Sequence, residues 1–301
     1  MFDFLKGGKA RVTLELERTG AGYYPGETVR AKVTVVGEKD LKIQQGRVTL
    51  VYKEEYQYRH ETERTDSDGR RERREAHTWQ TDEIEVQKKV FLGEGTIKAG
   101  AQQSFEFELP MPGDAVPSCG DGRIVRVTWH VKATLDRKMA ADVEEKSEIF
   151  VLSVAPGQAV GAGEYGYSNS PGDAELVFAL SGKEFVLGGR VEGQLLVRPK
   201  KAFDASEVRV ELVRREYVPR NLGNEHLDQV VIKVAGGTKL EPGQDLKYPF
   251  VLQVPGGGAG TIRTRNSSVT WTLKGILSRR MRGDTQVAEE VFVYNVYPQG
   301  G

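Results

Sequence analysis

The chain has 301 residues, 43 lysines and arginines against 43 aspartates and glutamates, 38% hydrophobic residues and one cysteine. That length sets an expectation of two domains of about 150 residues, each able to bury its own core, with too much apolar content for a disordered chain. The balanced charge leaves no polyelectrolyte field of the kind that drives nucleic-acid binding, and a lone thiol cannot form an intrachain disulfide, which favours a reducing compartment.

The chain opens on Met1-Phe2-Asp3-Phe4-Leu5-Lys6, which has an acid at position 3 and no apolar signal-peptide core, and no later run reaches the ~18 apolar residues of a membrane span. A cytoplasmic protein is expected. From there apolar residues recur at every second position, as in Val125, Val127, Trp129, Val131, Ala133 and Leu135, the alternation of half-buried antiparallel strands. Strands are predicted near 11–18, 29–36, 46–58, 76–92, 103–110, 123–136 and 143–153. Residues 155–173 have the Gly, Ala, Ser and Pro content of a linker. Beyond them strands are predicted near 175–180, 190–198, 207–217, 227–234, 246–253, 268–279 and 286–297. No stretch sustains a helical stripe over three turns. The expected fold is all-β: an antiparallel β-sandwich over 1–154, the linker over 155–173, and a second sandwich of about seven strands over 174–301.

The two halves repeat. Arg47 to Glu54 reads against Arg209 to Glu216 at an offset of 162, and the Pro25-Gly26 turn falls on Leu187-Gly188. Gly100, Phe105, Phe107, Leu109 and Pro112 fall on Gly243, Tyr248, Phe250, Leu252 and Pro255 at an offset of 143. Val127-Thr128-Trp129 and the residues after it match Val269-Thr270-Trp271 at an offset of 142. Three such blocks in order imply an internal duplication in which Trp129 and Trp271 hold equivalent core positions. The falling offset places an insertion between Glu55 and Thr96 of the first copy, including the charged stretch from Arg59 to Asp82.

Within the insertion, Ser67-Asp68-Gly69-Arg70 carries the Asp-Gly pair of a two-residue hairpin turn. A turn at 68–69 sets Asp66 opposite Arg71, Glu63 opposite Arg74, His60 opposite His77 and Tyr58 opposite Trp79, with Arg64 against Arg73 as a like-charge conflict. A projecting ribbon is one reading and a disordered charged loop is the other. His60 and His77, facing each other in this register with Glu61 and Glu75 close by, are a candidate for zinc, but two histidines on an exposed ribbon do not make a closed four-ligand set, so no metal is assigned.

Other short motifs have no chemical context. Gly161-Ala162-Gly163-Glu164-Tyr165-Gly166 spells a dinucleotide fingerprint without the helix that must follow it, and Gly256 to Thr261 lacks the Lys-Ser/Thr pair of a phosphate loop, so it reads as a flexible loop. No cofactor is expected. Cys119 sits in a turn-rich loop as a bystander, His130 falls out of phase with the apolar stripe around it, and His226 has loop neighbours. Arg282-Gly283-Asp284 and the sequon at Asn266 are short enough to be accidental. Arg263, Arg265, Arg279, Arg280 and Arg282 form either a patch for anionic lipid or phosphate or a solvated charged edge.

Tyr24-Pro25-Gly26-Glu27-Thr28-Val29-Arg30-Ala31-Lys32-Val33 resembles the opening strands of alpha-arrestin-type domains. Leu109-Pro110-Met111-Pro112, Pro117-Ser118 and the run from Ile124 to Leu135 resemble the closing half of the same domains, and the tandem repeat resembles the arrestin plan. Among its members the chain is most similar to bacterial arrestin-like proteins of sporulation control. The resemblance implies a non-enzymatic scaffold or adaptor for protein partners, such as acidic or phosphorylated segments or membrane-protein tails. A structural or carbohydrate-binding β-module is the alternative. By its place between the third and fourth strands the ribbon resembles the finger loop with which arrestins engage targets. Tyr58, Arg59, His60, Arg70, Arg71, Arg73, Arg74 and Trp79 are therefore the candidate partner-binding residues.

Overall fold

The computed structural model describes residues 9–18, 21–65, 71–154, 161–280 and 282–297, and these are strands, turns and connecting loops with no helix. Seven main strands form the N-terminal half: β1 (Lys9–Leu16), β2 (Thr28–Lys39), β3 (Gln45–Thr65), β4 (Arg71–Leu92), β5 (Gln102–Pro110), β6 (Val125–Asp136) and β7 (Val143–Ile149). Seven more form the C-terminal half: β8 (Ala174–Leu180), β9 (Arg190–Pro199), β10 (Glu207–Val218), β11 (Asn224–Ala235), β12 (Leu246–Gln253), β13 (Ser268–Ser278) and β14 (Thr285–Tyr294). Each half packs two antiparallel sheets, β1-β2-β5 against β4-β3-β6-β7 and then β8-β9-β12 against β14-β13-β10-β11.

The period-2 pattern explains the packing directly, because successive side chains of a strand point to opposite faces. In β6, Val125, Val127, Trp129, Val131, Ala133 and Leu135 are buried while the residues between them are more exposed, and β13 repeats this with Val269, Trp271, Leu273 and Leu277. Trp129 and Trp271 are each 1% exposed. Their indole N–H groups donate to the carbonyls of Val116 at 2.8 Å and Ala259 at 3.1 Å, so each ring brings its one polar atom a partner. Tyr52 pairs with Trp129 across β3 and β6, and Arg214 pairs with Trp271 across β10 and β13, positions related by the sequence offsets of 162 and 142. The turns repeat as well. Gly26 and Gly188 have φ of +88° and +77°, a left-handed backbone that glycine adopts without steric cost.

Several short strands escape the periodicity because two or three residues are too few to show it. Leu41–Ile43 pairs with Gly95–Ile97, and Phe203–Ala205 pairs with Thr238–Leu240. The stretch read from composition as a linker contains Gly163–Tyr165, which pairs with β8, and Tyr167–Ser168, which pairs with β14. The dinucleotide-like glycines thus run into a strand, and the described part of this stretch belongs to the C-terminal sheets.

The described residues of the insertion form a two-stranded ribbon, but its register differs from the expected one. Tyr58 pairs with Thr78, Arg59 with His77, His60 with Ala76, Glu63 with Arg73 and Arg64 with Glu72. Every pair is displaced by one residue from that of a two-residue Asp-Gly turn, which exchanges the side chains that share a face. The displacement places position 64 opposite Glu72 instead of Arg73, and the two histidines no longer face each other. Residues 66–70, including Arg70 and Asp66, lie outside the described residues.

Replacing either tryptophan by alanine removes a fully buried ring and leaves a cavity. Each of Trp129→Ala and Trp271→Ala is expected to lower stability by about 3–5 kcal/mol in urea titrations followed by far-UV circular dichroism. A loss under 1 kcal/mol at either site would mean that the ring does not support the core.

Candidate functional site

Where the halves meet, two glutamates at equivalent repeat positions reach across in opposite directions. Glu54 follows the inward phase of β3, after Tyr52, and Glu216 follows that of β10, after Arg214; both side chains are fully buried. A buried carboxylate is tolerable only when its lone pairs are met by donors. Those donors come from the other half. Glu54 accepts from Ser267 Oγ at 2.8 Å, from Asn266 Nδ2 at 3.0 Å and from the Thr264 hydroxyl. Glu216 accepts from the backbone N–H groups of Arg123, Ile124 and Val125 at 3.1, 2.8 and 3.2 Å. Each carboxylate therefore fixes the entry to the other half's tryptophan strand, β6 or β13.

A third contact is also reciprocal. Ser153 and Asn295 are equivalent at the offset of 142; the Ser153 N–H donates to Asn295 Oδ1 at 2.7 Å, and the Asn295 N–H donates to Ser153 Oγ at 3.1 Å. Asn295 Nδ2 also donates to the carbonyls of Ser118 and Val151, both at 2.9 Å. Apolar packing follows the same path, since Val218, Ala259, Ile262 and Val269 of the C-terminal half are buried in the hydrophobic cluster of the N-terminal half.

Arg214 completes the polar layer. It bonds Asp228, lies 3.5 Å from Glu216, and its guanidinium stands 5.9 Å over the Trp271 ring. Gly258 leaves the space it occupies, so the glycine run at 256–260, expected to be a flexible loop, is packed against a charged side chain. Burial acts to push the Asp228 carboxyl up, but Arg214 outweighs it and holds the acid below its usual range. Cys119 is buried in the same region, its Sγ donating to the Val125 carbonyl at 3.5 Å. Burial, reinforced by Glu216, pushes its thiol up to about 12, which makes it inert as a nucleophile.

The ribbon leaves this interface. Its base is clamped by the loop between β10 and β11: the Leu222 N–H donates to the Arg59 carbonyl at 3.3 Å, Arg59 Nε to the Gly223 carbonyl at 3.1 Å, and Asn224 Nδ2 to the Gln57 carbonyl at 2.8 Å. Arg220 bonds the Tyr56 hydroxyl at 3.1 Å and stacks over Tyr58, while Arg126 stacks over Trp79. Three of the candidate partner-binding residues, Tyr58, Arg59 and Trp79, thus already have partners within the chain. His60 lies against Tyr58 with a ring separation of 5.3 Å. Further out, Arg71, Arg73 and Arg74 are exposed, Arg71 and Arg73 lying 3.7–3.9 Å from Glu61 and Glu63 and Arg74 lying 2.6 Å from its strand neighbour Glu72. Such exposed pairs contribute about 0–1 kcal/mol each.

The remaining candidates are dispersed. His226 lies in strand β11 rather than in a loop, 3.2 Å from Asp228. No group of three His, Cys, Asp or Glu side chains suited to a metal ion occurs among the described residues. The five arginines do not form one patch: Arg263 pairs with Glu290 beside the first residue of β13, whereas Arg279 pairs with Asp173 just past the last. Asn266 of the sequon donates to Glu54 and Asp82 between the halves. Among the described residues, no helix is long and apolar enough to cross a membrane.

Two antiparallel sandwiches that complete each other's buried polar groups define an all-β protein of the β-sandwich class. Residues 7–156 match the family model of the arrestin (or S-antigen) C-terminal domain, a match that supports an arrestin-like family for this chain. Domains of that family are generally non-enzymatic. No curated protein matches the sequence.

Removing one carboxylate takes a shared acceptor from three donors in a buried interface. Glu54→Ala and Glu216→Ala are each expected to cost about 3 kcal/mol in denaturant titrations, whereas Arg71→Glu on the exposed ribbon should cost under about 0.5 kcal/mol. Equal effects at buried and exposed positions would remove the interface from the account.

Proposed function

We propose that the protein is a non-enzymatic, arrestin-like scaffold of the cytoplasm that binds acidic or phosphorylated protein segments through the outer part of the ribbon. The observation that carries this reading is the difference between equivalent hairpins. In the C-terminal half β10 ends at Val218 and β11 begins at Asn224, whereas in the N-terminal half β3 runs past the equivalent Tyr56 to Thr65 and β4 starts at Arg71. The sandwich closes without this extension, so the residues beyond the clamped base are free to serve another purpose. The candidates retained are His60, Arg71, Arg73 and Arg74, together with Arg70. Loose, exposed ion pairs hold Arg71 and Arg73, and their planar guanidinium groups can exchange those partners for the two oxygens of a carboxylate or phosphate. Tyr58, Arg59 and Trp79 serve instead to aim the ribbon from the joint between the halves.

The repeat is best explained by duplication of one sandwich, followed by lengthening of the third and fourth strands in the first copy. The matched strand pairings around Trp129 and Trp271 and the reciprocal glutamates support this. A role in bacterial signalling or sporulation control rests on the sequence resemblance alone.

Replacing residues 60–76 by Asn-Gly keeps the Arg59–His77 pair and deletes the outer ribbon. The shortened protein should retain its melting temperature to within a few degrees and lose binding to an arrayed set of acidic and phosphoserine peptides, and Arg71→Glu/Arg73→Glu/Arg74→Glu should lose it too. Undiminished peptide binding by a folded, shortened protein would place the site elsewhere.

A further inference from the structure

The edges of the sheets are not protected alike. An unpaired strand edge invites pairing with another chain unless charge, proline or shortness prevents it. Among the described residues, β1 exposes Lys9, Arg11 and Glu15, β4 exposes Glu83, Glu85, Lys88 and Lys89, β5 exposes Glu106 and Glu108, and β7 exposes Glu144, Glu145, Lys146 and Glu148. The edge strand β12 carries Pro249 at its centre, and the strand beside β8 has only three residues. The exception is β11, twelve residues long, whose exposed row is Glu225, Leu227, Gln229, Val231 and Lys233. Leu227 is 54% exposed and Val231 47%.

That row is complementary to itself. Reversed about Gln229, it sets Glu225 opposite Lys233, Leu227 opposite Val231 and Gln229 opposite Gln229. We propose that β11 pairs antiparallel with β11 of a second copy of this chain about a two-fold axis through Gln229, joining the two C-terminal sheets edge to edge. The arrangement is isologous: each contact occurs twice, and the interface closes on a dimer instead of propagating. Two ion pairs fix the register, and the two aliphatic pairs lie between them, the cross-strand combinations that stabilise antiparallel sheets. Within the chain, Glu225 already takes Arg215 at 2.8 Å and Lys233 lies 3.6 Å from Glu207. Pairing therefore builds an alternating row, Arg215, Glu225, Lys233 and Glu207, across the joint. Asp228, on the opposite face of β11, is held by Arg214 and needs nothing from the second copy.

The test uses the full chain in sedimentation-equilibrium runs from about 1 to 200 µM, with circular dichroism to confirm folding of each variant. The expected result is a reversible monomer–dimer equilibrium. Glu225→Lys sets like charges opposite each other twice per dimer and should raise the dimer Kd by about tenfold or more, as should Lys233→Glu. Because Glu225 and Lys233 also pair with Arg215 and Glu207 within the chain, the compensating variant inverts the whole row: Glu207→Lys/Arg215→Glu/Glu225→Lys/Lys233→Glu keeps opposite charges at every contact and should return the Kd to within about threefold of the original. A monomer at every concentration overturns the proposal, and so does a dimer unmoved by Glu225→Lys or not recovered by the charge exchange.

Discussion

Glu54 and Glu216 are carboxylates removed entirely from water, and such groups are stable only where donors replace the lost hydration. Neither finds a sufficient set in its own half. Glu54 depends on three side chains ahead of β13, and Glu216 on three backbone N–H groups ahead of β6. Separating the halves would take these donors from both acids at once, so the joint is the condition under which the two carboxylates can stay out of water. The two contacts are related by the sequence repeat, as are Ser153 and Asn295 between them. One interaction used in both directions therefore sets how the two sandwiches join.

The shape of the rest follows from that joint. Because Glu54 holds the loop at 264–267 and the loop at 220–224 holds Gln57 and Arg59, the C-terminal half grips the N-terminal ribbon at its root. Tyr56, Tyr58 and Trp79 supply apolar body there; Arg220 bonds the Tyr56 hydroxyl and covers Tyr58, and Arg126 covers Trp79. The outer ribbon projects from a fixed platform rather than from a swivel. Under the proposed function, a recognition element mounted in this way would lose little orientational freedom on binding.

Much of this was legible in the sequence, for reasons that differ by element. The fourteen main strands announce themselves because antiparallel sheets with one wet face force a period of 2, and Trp129 and Trp271 are marked by the repeat. Strands of two or three residues, such as Tyr167–Ser168 and Ile262–Arg263, are too short to carry a period, and only long-range pairing creates them. The insertion is marked by the repeat, but its residues leave a ribbon and a disordered loop both open, and the register they suggest differs from the observed one. Asp68-Gly69 signals a two-residue turn, whereas the observed pairing of Glu63 with Arg73 and of Arg64 with Glu72 is displaced by one residue from the register such a turn sets. The interface glutamates left a signal that composition alone obscures: an acid in the inward phase of an apolar strand, at the same place in both copies. Their donors could not be foreseen, because backbone N–H groups and a Thr-Arg-Asn-Ser turn carry no distinctive pattern.

Differential scanning calorimetry of the intact chain tests the mutual dependence of the halves most directly. The two sandwiches should unfold in a single transition whose calorimetric and van't Hoff enthalpies agree, with a ratio of about 1, and Glu54→Ala/Glu216→Ala should split or broaden it. Two resolved transitions in the unmodified protein, each unmoved when both glutamates are replaced, would contradict the account.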